Sequence, residues 1–196
     1  MPRMDILDCS RSDLLSWIDL RAQIPCPKIM VGAAIVRRGP SGAETLILKN
    51  KPGRDNDNLH GIPGGEMKDA DPTVRDAIIR TVAESVSLQV IDVWNCLPPI
   101  LDIQEETVED SSAKGKETVE NAVAGPSSQA AQAAQRVVIR RSVVHFNFVV
   151  IARGDGAGFQ VNVEEHEMGI WIDAEKSADI EMKDAMRDVV KTAVRL

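Results

Sequence analysis

Nowhere in the 196 residues is there an apolar run long enough to cross a bilayer, a task that takes about 20 predominantly apolar residues. The N-terminus also lacks the basic stretch followed by an apolar core that marks a secretory leader. These two absences exclude a helical membrane span and make a cytoplasmic location the expectation. Cysteine is scarce. Cys9, Cys26 and Cys96 have no metal-ligand spacing and are read as buried or free thiols. Positive charge is in deficit, with 23 Lys and Arg against 30 Asp and Glu and a net charge of −7. That balance argues against nucleic acid or an anionic membrane as partner.

What is present suits one globular domain, since a chain of this length with 43% hydrophobic residues can bury a full core. Residues 1–28 form a separate N-terminal extension. In it, Ser10 or Ser12 caps a short helix that carries Leu14, Leu15, Trp17, Ile18 and Leu20 and ends before Pro25 and Pro27. Its apolar face is expected to pack on the domain or on a second subunit. Residues 29–196 form the main domain. Ile29–Val36 and Thr45–Leu48 are predicted strands joined by the turn Gly39-Pro40-Ser41-Gly42, and Val90–Trp94 and Val137–Ala152 are further β-rich runs. Between the latter two, Gln104–Gln135 is rich in Glu, Ser, Ala, Gly and Gln and reads as a flexible surface insertion. Lys183–Val194 carries Ala185, Met186, Val189, Val190 and Ala193 at helical spacing.

Between the first two strands and the third lies Gly64-Gly65-Glu66-Met67-Lys68-Asp69-Ala70-Asp71-Pro72-Thr73. Asp71 and Pro72 read as an N-cap and first-turn proline. A helix bearing Arg80, Thr81, Val82, Glu84, Ser85, Ser87 and Leu88 follows. Gly65, Arg80, Val82, Glu84 and Leu88 keep the spacing of a Nudix box, to which the segment is similar. Asp71 replaces the signature's first acid, and Thr81, Ser85 and Ser87 stand where it carries Glu, Glu and Gly. The extra residue before Arg80, after Asp71-Pro72-Thr73, resembles fungal Nudix sequences. Leu59-His60-Gly61-Ile62-Pro63-Gly64-Gly65 resembles the approach to the box, and Glu164–Glu175 resembles the loop and strand before the last helix. The resemblance covers roughly residues 29 to 195 and implies an α/β fold, the Nudix α/β/α sandwich with a mixed β-sheet. Homodimers are frequent in that family, so a homodimer is a further expectation.

Nudix hydrolases hold Mg²⁺ or Mn²⁺ between carboxylates on one helical face, because a hard divalent ion seeks charged oxygen ligands. Residues 81, 84 and 85 are expected to share such a face, and Glu84 is its only acid. With Asp71 it makes at best a weak metal site, and Glu84 is also placed to pair with Arg80. Three functions therefore compete. The leading one is a Nudix-fold small-molecule enzyme of secondary metabolism, repurposed for metal-independent acid/base chemistry as an isomerase, cyclase or hydrolase, with no cofactor required. The second is a Mg²⁺- or Mn²⁺-dependent pyrophosphohydrolase of nucleoside diphosphate derivatives. The third is a non-catalytic module that binds a nucleotide or a protein.

The candidate catalytic residues are Glu84, His60, His145 and Glu165. His60 sits beside the Pro-Gly-Gly turn, and its imidazole can act as acid or base near neutral pH. Arg141, Val143, His145, Asn147 and Val149 alternate onto one strand face. That pattern suits a pocket for a polar or anionic ligand, or equally a core histidine with Arg141 at a solvent edge. Glu164, Glu165 and His166 occupy the loop in which some Nudix hydrolases keep an acid or base, and Glu165 is the candidate there. Substrate binding is assigned to Arg141, Asn147, Arg54 and Lys51, the last two as part of a basic run that either meets phosphate or is merely solvated.

Overall fold

A computed structural model describes residues 5–19, 28–53, 58–109 and 136–196. Its centre is set by two apolar strands that run parallel. In β1 (Lys28–Gly39), Ile29, Val31, Ala33, Ala34 and Ile35 are all buried, as are Phe146, Phe148, Val149 and Val150 in β7 (Arg136–Ala152). Such near-continuous apolar runs mark strands covered on both faces. β1 and β7 pair from Lys28↔Val143 to Ile35↔Val150.

β1 turns at Gly39 into β2 (Gly42–Asn50), with Gly42 at φ +140, a backbone state open essentially to glycine. β2 then pairs with the short β3 (His60–Gly61) on one edge and with β8 (His166–Ile172) on the other. β4 (Gly64–Glu66) lies antiparallel to β1. β5 (Val90–Cys96) and β6 (Ile100–Glu109) both pair antiparallel with β7.

Helices cover both faces of the sheet. On one, α1 (Arg11–Asp19) and α2 (Val74–Val86) pack over Ile29, Val31, Phe146, Phe148 and Val150. On the other, α3 (Asp184–Ala193) places Val189, Val190 and Ala193 over Ala34, Ile47 and Val149. The result is the expected α/β/α sandwich. α2 forms because Val74, Ala77, Ile78, Val82 and Val86 recur at helical spacing and are all buried.

Three details depart from or sharpen the sequence reading. The N-cap of α2 is Thr73 and not Asp71: the Thr73 hydroxyl accepts the Asp76 N–H and donates to the Asp76 carboxylate, while Asp71 is held by Arg80. Gln104–Glu109 is not insertion but the end of β6, paired with Arg136–Arg141. A hairpin ladder needs only backbone partners, so polar side chains do not end it; residues 110–135 lie outside the described residues. The N-terminal helix packs on the domain itself. Ser10 and Asp13 cap its start reciprocally, Leu14 and Ile18 are buried in the core of the α2 side, and the Cys9 carbonyl accepts the N–H of Val74, the first residue of α2.

Candidate functional site

The Nudix-like segment folds into a self-neutralised knot. Arg80 donates from Nε to Asp71 Oδ1 at 2.8 Å and from Nη2 to Asp71 Oδ2 at 2.7 Å. It also donates to the Glu66 carbonyl at 2.8 Å and to Glu84 Oε2 at 2.7 Å. The Lys68 N–H adds a third bond to Asp71, at 2.7 Å. The Arg80 guanidinium holds the Asp71 carboxyl below the ordinary carboxylate range, against the opposing effect of burial. Lys68 Nζ lies 3.4 Å from the other oxygen of Glu84.

Residues 81, 84 and 85 do not share an exposed face. At about 100° per residue, 81 and 85 lie within about 40° of each other and 84 about 60° to one side. The boundary of the core runs between them. Thr81 and Ser85 point inward and are buried, while the Glu84 side chain is 49% exposed. Thr81 packs so closely under β4 that a Cβ on Gly65 would stand 3.2 Å from Thr81 Cγ2. This donor set does not fit Mg²⁺ or Mn²⁺: Asp71 is fully engaged by Arg80 and Lys68, Glu84 is shared between two cations, and positions 81 and 85 offer only buried hydroxyls. Among the described residues no three His, Cys, Asp or Glu side chains come close enough to hold a metal ion.

A second arrangement lies on the opposite side of β4. The chain has three histidines, and all of them line one cleft of about 210 Å³. The strand pairings explain this convergence. On β7, His145 and Asn147 alternate onto one face, opposite Met30 and Gly32 of β1. On β3, His60 pairs with Lys49, and at the start of β8 His166 pairs with Asn50, so two imidazoles flank the end of β2 from opposite edges. Asn50, Asn147 and Lys183 complete the polar lining; Met30, Leu59, Ile62 and Met186 supply apolar wall. Among the described residues no Asp or Glu lines the cleft.

Several of the polar groups are oriented by a neighbour. His60 Nδ1 lies 3.2 Å from the Glu181 carbonyl. Because a carbonyl can only accept, Nδ1 carries a proton in this contact and Nε2 is the ring nitrogen turned away from it. His166 Nδ1 contacts Asn50 Oδ1 at 3.1 Å. Burial pushes the His145 pKa below its usual value; Lys183 and Lys28 act in the same direction and Asp102 opposes them. The net effect favours the neutral imidazole. Asn147 is 1% exposed. Its Nδ2 faces the Pro98 carbonyl at 3.5 Å, while its Oδ1 is buried without a hydrogen-bond partner. Gly32 makes room for that oxygen, since a Cβ there would stand 2.3 Å from it.

Of the residues singled out from sequence, the fold brings His60, His145 and Asn147 together. Glu84 and Asp71 belong to the Arg80 knot instead. Glu165 and Lys51 meet through their backbones, Lys51 N–H donating to the Glu165 carbonyl at 3.2 Å, and neither lines the cleft. Arg54 and the Arg141 side chain lie outside the described residues. Sequence reasoning chose Glu165 where the adjacent His166 enters the cleft, and it passed over Asn50, Lys183 and Met186. The scarcity of histidine was the available signal for His166. Nothing local marked the other three, which arrive through strand pairing and the start of α3.

A scan of protein-family models gives no match to this chain, and a search of curated proteins gives none. Solved structures do resemble it. The NUDIX domain of Shewanella oneidensis NrtR, in a complex with ADP ribose, matches with a TM-score of 0.56 and 11% identity over 94% of this chain and 97% of that one. The MutT protein of Methanosarcina mazei Go1 matches at 0.53 and 19% identity, covering 89% and 96%. The E. coli ORF135 protein matches at 0.51 and 17% identity, covering 86% and 90%. The chain adopts the Nudix fold.

Proposed function

We propose that this Nudix-fold chain is a small-molecule enzyme that works by metal-independent acid/base chemistry in the three-histidine cleft. The observation that carries this reading is the gathering of every histidine of the chain into one cleft. His145 is half-buried with its pKa lowered by desolvation, which favours the neutral ring that can accept a substrate proton. His60, with Nδ1–H fixed by the Glu181 carbonyl, presents Nε2 as the complementary group, accepting or returning a proton according to its charge. Paired imidazoles of this kind support isomerisation, cyclisation or hydrolysis, in which one group takes a proton and another gives one back. The spacing shared with fungal Nudix sequences motivates a setting in secondary metabolism.

The test is turnover by the full chain in excess EDTA, followed by NMR on mixtures of small metabolites, with His145→Gln as control. A parallel assay uses nucleoside diphosphate derivatives with Mg²⁺ or Mn²⁺ and Glu84→Gln. EDTA-resistant turnover abolished by His145→Gln is the expected result. Metal-dependent diphosphate hydrolysis abolished by Glu84→Gln would overturn the proposal in favour of a pyrophosphohydrolase. Ligand binding with no turnover in either assay would overturn it in favour of a binding module.

A further inference from the structure

We propose that the cleft takes a small compound with an apolar body, a hydroxyl or N–H donor at one end and a carboxylate-like anion at the other. Asn147 reads the donor and Lys183 reads the anion. This rests on the reading that the cleft is the working site, and it names the substrate class of that site.

Three observations set the class. The first is the floor. Asn147 is almost fully buried, its Nδ2 is turned to the Pro98 carbonyl, and its Oδ1 has no partner. A buried acceptor left unsatisfied is disfavoured, and a ligand that donates a hydrogen bond there removes the penalty. A ligand with an acceptor or a plain C–H at the same place does not. The glycine at position 32 leaves room for this oxygen in a strand where any other residue would collide with it.

The second is the rim. The Lys183 side chain is half exposed at the start of α3, and Asp102 lies 2.9 Å from its ammonium. One carboxylate oxygen occupies one of three ammonium protons, which leaves donors for an anion entering the cleft. Among the described residues the lining itself carries no acid, although the chain as a whole has 30 acidic residues, and the Asp102 carboxylate beside Lys183 is already paired with it. The third is size. A cleft of about 210 Å³ is smaller than the roughly 300–1,000 Å³ that drug-sized ligands occupy. It has room for a single ring or a short chain between Asn147 and Lys183, against the apolar walls of Met30, Ile62 and Met186.

The test is calorimetric titration of the full chain with hydroxy-carboxylates graded from glycolate to 4-hydroxybenzoate. Each is paired with an analogue lacking the hydroxyl, such as benzoate, and one lacking the carboxylate, such as phenol. We expect at least one member of the series to bind, and removal of its hydroxyl to weaken binding about 5- to 150-fold, the range for one buried unsatisfied acceptor. Asn147→Leu abolishes that discrimination. Lys183→Gln, at an exposed position that does not threaten folding, weakens the hydroxy-carboxylate and leaves the phenol analogue unchanged. Failure of the whole series to bind, or binding insensitive to both functional groups, overturns the proposal. The two readings separate cleanly. Binding of this class without turnover sinks the enzyme and keeps the ligand class, whereas His145-dependent turnover of compounds lacking either group keeps the enzyme and sinks the ligand class.

Discussion

Replacing Arg80 by alanine is expected to be far more damaging to stability than neutralising Glu84, although both residues belong to the Nudix-like segment. The Asp71 side chain is 6% exposed, and Arg80 makes two of its three hydrogen bonds. Arg80→Ala leaves that carboxylate buried with the Lys68 N–H alone. Breaking a buried ion pair from one side costs about 3–5 kcal/mol; Arg80 itself is not fully buried, so the lower end, about 3 kcal/mol, is appropriate. For a domain of this size that corresponds to a fall in Tm of about 6–12 °C. Glu84→Gln removes only exposed i,i+4 and Lys68 contacts, for which about 0.3–0.5 kcal/mol is usual, or about 1–2 °C. The sign of the pH dependence follows from Asp71. Its folded pKa is depressed, so its contribution is complete above the unfolded value near ~3.9 and is lost as pH falls through the folded pKa. Urea melts of the wild type and both variants at pH 7, and again between about pH 5 and pH 2, should therefore show the Arg80→Ala deficit narrowing in acid. Equal losses for the two variants at pH 7, or a deficit independent of pH, would refute the buried-pair argument.

Further outcomes follow from the same structure. Ser87 closes α2 in the left-handed region at φ 55 and ψ 30, where the Nudix signature carries glycine; Ser87→Gly should raise stability by about 0.5–1 kcal/mol in urea melts. Gly32→Ala places a Cβ 2.3 Å from Asn147 Oδ1 and 2.9 Å from Ile62 Cδ1. Overpacking of this kind costs about 1–3 kcal/mol, so the variant should still fold yet lose binding in the cleft, as thermal melts and titration would show together. If His145 is the base, its neutral ring is the active form, and its lowered pKa keeps that form dominant down to pH 6.5. The acid limb of kcat/KM should then fall below that value, and a limb centred above it would exclude His145.

How much of this was legible in the sequence depends on what each residue reports. The layers were legible because they rest on local pattern: the near-continuous apolar run that ends in Phe148–Val150 marks a strand covered on both faces, and the helical spacing of Val74 to Val86 states which face of α2 is buried. Pairing partners are not local. That His60 and His166 meet at the two edges of β2 depends on the register Lys49↔His60 and Asn50↔His166, which no segment encodes alone. The fate of Thr81, Glu84 and Ser85 was legible only as far as helix geometry goes. Spacing placed them within one sector of α2, but the line between core and solvent that divides them is drawn by β4, a three-residue strand with two glycines. Hydrophobic pattern cannot announce such a strand. Asp71 misled for a related reason, since Asp before Pro looks like a cap, and only the tertiary reach of Arg80 shows that its oxygens are engaged elsewhere.

The same short strand joins the two halves of the story. Gly64 and Gly65 line the cleft, Gly65 packs on Thr81, and the carbonyl of Glu66 is held by Arg80. A glutamate at position 81 would have to place its carboxylate under Gly65 or push β4 away, because Thr81 already packs so closely there that a Cβ on Gly65 would stand 3.2 Å from its Cγ2. The neutral threonine lets β4 settle on α2. With β4 settled, Gly64 lies antiparallel to Gly32, the glycine that makes room for the Asn147 amide. Arg80 then acts as a brace for the wall of the cleft. Thr81 and Arg80 on one side of β4 and the residues that shape the histidine cleft on the other are parts of one packing arrangement, connected through the backbone of residues 64–66.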